Sequence, residues 1–80
     1  MTIEIKRRLA EADAAVMEAS LSVSRQREEL AEFERAGRAS DAAQAQAALE
    51  LLEDRRKRKI GERNLLMRGR DAADVEDEDK

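Results

Sequence analysis

The sequence predicts an all-α fold: an antiparallel two-helix coiled-coil hairpin that dimerises into a four-helix bundle and carries a disordered acidic C-terminal tail. Three observations carry this. Charged residues make up 44% of the 80-residue chain and aromatics 1%, with Phe33 the sole ring, a composition that belongs to long helices and coiled coils. Proline is absent and glycine occurs only at positions 37, 61 and 69, so little punctuates the chain. Finally, Leu9, Val16, Val23 and Leu30 fall seven apart, with Ile5, Ala12, Ala19, Gln26 and Phe33 at the alternate seam positions.

The first helix is expected over about 3–36. Thr2 is placed to cap it, Glu4 suits its positive end, and Gly37 can take the left-handed conformation that ends it. Ser40 and Asp41 give a start signal for a second helix over about 41–68, with Gly69 as its stop and 37–40 as the turn. So short a connection makes the helices antiparallel neighbours. The second seam, Ala42, Ala45, Leu49, Leu52, Ile60 and Met67, is interrupted by Arg56 and Arg63. Folding at the turn opposes positions whose numbers sum to about 77, which sets Leu30 and Phe33 against 42–48, the run 55–59 against 18–22, and Arg63 near Asp13. Residues 1–70 form this hairpin, and 71–80, with six acids and one base, form the tail.

A chain this small buries only about 60% of the surface it exposes when unfolded. With no cysteine and no histidine, neither a disulfide nor the commonest metal ligand is available to brace it. Association is the remaining source of stability. Ile3, Ala10, Ala14, Met17 and Leu21 form a second apolar stripe, turned roughly 150° from the first seam by about 100° of rotation per residue. Leu51, Leu65 and Leu66 are likewise surplus to one seam on the second helix. These eight residues are the expected oligomer or partner interface, joining two hairpins about a two-fold axis.

Catalytic, cofactor and metal sites are not expected. Ser20, Ser22 and Ser24 have no neighbouring base to activate them, and are read as Ser20 and Ser24 flanking a close helix contact with Ser22 facing water. Glu28, Glu29 and Glu32 have one-turn spacing, but the di-metal sites of helical bundles also need a Glu-x-x-His. Neither an apolar signal-peptide core nor a membrane-length apolar run is present, so a soluble, cytoplasmic, non-enzymatic protein without a small-molecule substrate or membrane partner is expected.

The sharpest motif is Arg55-Arg56-Lys57-Arg58-Lys59. Residues 54–70 hold eight bases and two acids, a local +6 that could grip phosphates through the run and Arg63. Against this, five consecutive helical residues point around the whole circumference, no aromatic stands nearby to stack on bases, and the chain's net charge is -3. A small interaction module that self-associates and offers a helical face to a protein partner is therefore the leading expectation. A nucleic-acid-binding regulator is the alternative. In architecture, two helices with an acidic end, the chain resembles the small plasmid RNA-binding regulators of dimeric hairpin type, with no shared motif. A helical-hairpin assembly or secretion chaperone is the third reading, and richness in Ala, Arg, Asp and Glu suits a GC-rich bacterial genome.

Overall fold

The computed structural model describes residues 3–78 of the chain, with side chains described over 3–69. Two helices, α1 (Ile3–Arg35) and α2 (Ala39–Glu78), pack against each other as a hairpin. The resulting rod measures 65 × 15 × 14 Å, the length of one long helix by the width of two.

The turn is built from backbone chemistry that the glycine permits. Gly37 has φ 71° and is the only described residue in the left-handed region. Its N–H donates to the Glu34 carbonyl at 3.2 Å, and the Arg38 N–H donates to the Phe33 carbonyl at 3.0 Å. These two bonds satisfy the end of α1 in the Schellman pattern. The Arg38 guanidinium then lies 5.4 Å over the Phe33 ring, joining the two residues that this motif brings into side-chain contact.

Arg38 also opens α2. Its carbonyl accepts the Ala42 N–H at 2.9 Å, and its guanidinium pairs with Asp41 at 2.7 Å. The helix thus starts at Ala39, and Ser40 sits inside its first turn rather than capping it, because the Schellman turn has already brought Arg38 to the cap position. Asp41 keeps its expected place at the positive end of α2.

At the other end α2 runs through Gly69 to Glu78, past the stop expected there. A glycine ends a helix when it turns left-handed, and Gly69 does not. Over 71–78, where a disordered tail is expected, the backbone is helical; Ala72, Ala73, Glu76 and Glu78 are compatible with that. Asp79 and Lys80 lie outside the described residues.

The core is a single seam. Val16, Ala19 and Val23 of α1 and Ala45 and Leu49 of α2 are buried. Ile5, Leu9, Ala12, Gln26, Leu30 and Phe33 are half-buried along the same line, as are Ala42, Leu52 and Ile60 opposite. Met67, expected in the seam, is exposed, with 37% of its surface open. Among the described residues none is completely enclosed, as expected when only two helices share a core. Polar contacts mark the register: Arg63 reaches Asp13 at 3.8 Å, Arg56 Nε donates to Ser20 Oγ at 2.9 Å, and Arg27 pairs with Glu53 at 3.1 Å. These pairs sum to between 76 and 80, close to the expected opposition.

Candidate interaction surfaces

On α1 the seam lies along Val16, Ala19 and Val23, so residues about 150° around the helix face away from α2. Ile3, Ala10, Ala14, Met17 and Leu21 occupy that outer line, and all five are exposed. Ile3 retains 86% of its surface, Met17 67% and Leu21 57%, values of a wet face and not of a margin of the core. The line ends where Glu28 takes the next position.

Leu51 and Leu65 are comparably exposed, but they project from the side of α2 turned away from α1. Asp54 and Arg58 stand between them, so they form no continuous stripe. Leu66 is half-buried, and one of the eight expected interface residues thereby belongs partly to the hairpin's own flank. The seven others are exposed yet do not share one face, because each helix turns its outer side in the opposite direction.

The basic run is divided in a similar way. Arg55 and Lys59 line a shallow depression on one flank of the seam with Ala15, Glu18, Ser22 and Leu52. Arg56 and Lys57 line another with Ser20, Ser24, Arg27 and Glu53. Three of the six candidate cations are engaged: Arg56 with Ser20, Lys59 with Glu62 at 3.5 Å, and Arg63 with Asp13. Arg55, Lys57 and Arg58 form no ion pair among the described residues; Arg55 and Arg58 stand one turn apart on one face of α2 and Lys57 points to another.

The serines differ from expectation in detail. Ser20 is the one at the helix contact, Ser22 is half-buried with its hydroxyl donating to the Glu18 carbonyl at 3.1 Å, and Ser24 is exposed. Ser22 turns inward because the second flank of α1, lined by Ala15 and Ala19, lies beneath it. The Arg56–Ser20 bond carries no expectation of its own, though the opposition of 18–22 with 55–59 contained it. Among the described residues, no three His, Cys, Asp or Glu side chains group as a metal site, and no helix is long and apolar enough to cross a membrane. Compared with known proteins, the chain matches no family model, and neither curated sequences nor solved structures give a significant match.

Proposed function

We propose that this chain is a non-enzymatic, cytoplasmic interaction module, a coiled-coil hairpin that self-associates into a four-helix assembly and presents its remaining helical surface to a protein partner. The observation that carries the reading is the outer stripe of α1, where Met17 and Leu21 stand exposed on one line with Ala10 and Ala14, and Ile3 continues the line beyond Lys6 and Arg7. Contiguous apolar surface on a small protein marks an interaction site more often than it marks nothing. A seam of five buried residues also leaves a hairpin short of stability that association can add. The acidic end, 71–80, keeps the assembly soluble and screens the basic stretch beside it.

Sedimentation equilibrium over the micromolar range tests this reading. A concentration-dependent dimer that Met17→Glu with Leu21→Glu reduces to a folded monomer is the expected result, and a parent that stays monomeric with cooperative unfolding overturns it.

Nucleic-acid binding is the second reading, favoured by Arg55, Lys57 and Arg58, which form no ion pair among the described residues. Only Arg55 and Arg58 share a face of α2 while Lys57 points away, and so small a cationic face weighs against it. Phosphates along one strand need cations on one side.

A further inference from the structure

We propose that two copies of the chain join through α1 alone, antiparallel, about a two-fold axis level with position 12; this rests on the self-association reading above and gives it a geometry. The stripe pairs with itself in that arrangement, and the charges beside it separate this register from the others. With the axis at position 12, residue numbers facing each other sum to 24, so Ile3 meets Leu21 of the second copy and Ala10 meets Ala14. The large side chains then close the two ends, and the alanines let the helix backbones approach at the centre.

Charges select the same arrangement. A two-fold axis between antiparallel helices puts the same flank of each on the same side. Arg7 and Glu18 lie on one flank of the stripe, rotated about 50° and 70° from its centre. Their numbers sum to 25, so each Arg7 comes level with the second copy's Glu18, and the pair forms twice. Neither has an ion pair among the described residues, although Arg55 lines the same depression as Glu18. The aliphatic stem of Arg7 meanwhile crosses the Met17 of the other copy. Glu11 on one flank and Asp13 on the other fall near the axis and each faces its own copy; water screens Glu11 with Arg7 one turn away, and Arg63 lies 3.8 Å from Asp13.

Competing arrangements fail on these groups. Moving the axis to between positions 15 and 16 sets alanine against Met17 and Leu21 but brings Arg7 level with Arg25 on the same flank. A parallel pair in register puts opposite flanks together, and Lys6 then neighbours Arg7 while Glu11 neighbours Asp13. Since the stripe points roughly 150° from the seam, the four helices lie side by side in the order α2, α1, α1, α2, as a slab and not as a square bundle. An interface about 27 Å long on a single helix falls short of the roughly 800 Å² per partner of a standard interface, so micromolar association is expected.

Two measurements on the full chain test the geometry. Arg7→Glu and Glu18→Arg should each weaken dimerisation about tenfold, and the double variant should restore it. A spin label on Cys substituted for Arg25, in a chain with no native cysteine, should sit about 40 Å from its counterpart. A dimer that persists with a label separation near 28 Å or below 20 Å, or that the double variant does not rescue, defeats the proposed arrangement while self-association stands. A monomer at every concentration defeats both.

Discussion

Arg63 reaches across the seam to Asp13 at 3.8 Å while its own Nε is buried without a hydrogen-bond partner. The pair is long, and Asp13 is more than half exposed, so the contact returns little for a guanidinium lying between helices. Replacing both the charge and the orphaned donor with apolar volume is favourable in such places. Arg63→Leu should leave the hairpin as stable as the parent or raise its stability by about 1 kcal/mol, read from urea unfolding. A loss of more than about 1 kcal/mol would show that the pair holds the register.

Gly37 and Gly61 should respond with opposite signs to the same substitution. Gly37→Ala forces a side chain into φ 71° and should destabilise by about 1–2 kcal/mol, with no steric clash to add because a Cβ there meets nothing within 4 Å. Gly61 lies in the middle of α2 with equally open space, and Gly61→Ala should stabilise by about 0.5–1 kcal/mol. Thermal unfolding of the two variants checks both signs.

Leu49 is buried against α1, the largest side chain in the seam to be so. Leu49→Ala should cost about 2–3 kcal/mol, the lower part of the usual range, because a two-helix core can partly collapse around the gap. The exposed Leu51→Ala should change stability by less than about 0.5 kcal/mol. Equal effects would mean that Leu51 is covered in solution.

By the opposition of 76 set by Arg63–Asp13 and Arg56–Ser20, α2 runs out of partner helix near residue 73. The acids of 71–78 also fall in the last turns of α2, where the helix dipole disfavours them. Deleting 71–80 should leave the midpoint of unfolding and the oligomeric state unchanged, lowering helix content only by the residues removed. A lower midpoint in circular dichroism would place part of this segment in the fold.

Changing Arg55, Lys57 and Arg58 to glutamine should shift stability by less than about 1 kcal/mol, since none of the three is ion-paired among the described residues. Binding of the parent to bulk RNA or DNA near physiological salt should be negligible. Micromolar binding that falls steeply with salt and disappears in the variant would move the regulator to the leading reading.

The two helices, their seam and their opposition were legible because heptad spacing depends on residue type alone, and Val16, Val23 and Leu49 are buried where it puts them. The ends of α2 were not. Ser40 and Gly69 are proper signals in isolation, but the turn at Gly37 supplies Arg38 as the cap, and Gly69 keeps a helical backbone. Seven of the eight residues expected at an interface are exposed, yet their division between opposite sides depends on how each helix is rotated against the other. Leu66 shows the same limit, since it is drawn toward α1 while its neighbour Leu65 is not.

The single turn at Gly37 also sets an order of events. Cross-helix contacts span 19 residues at Gln26–Ala45, 26 at Arg27–Glu53 and 36 at Arg56–Ser20, so chain closure grows steadily more demanding away from the turn. Closing therefore runs from Gly37 outward, and opening begins at the far end, where amide hydrogens exchange first. Residues 3–21 are the last zipped and the first released, and they carry the exposed stripe of α1. A second copy seated there binds only a helical α1, so it would keep that helix formed at the end of the rod that opens most readily, extending amide protection toward Ile3 as concentration rises.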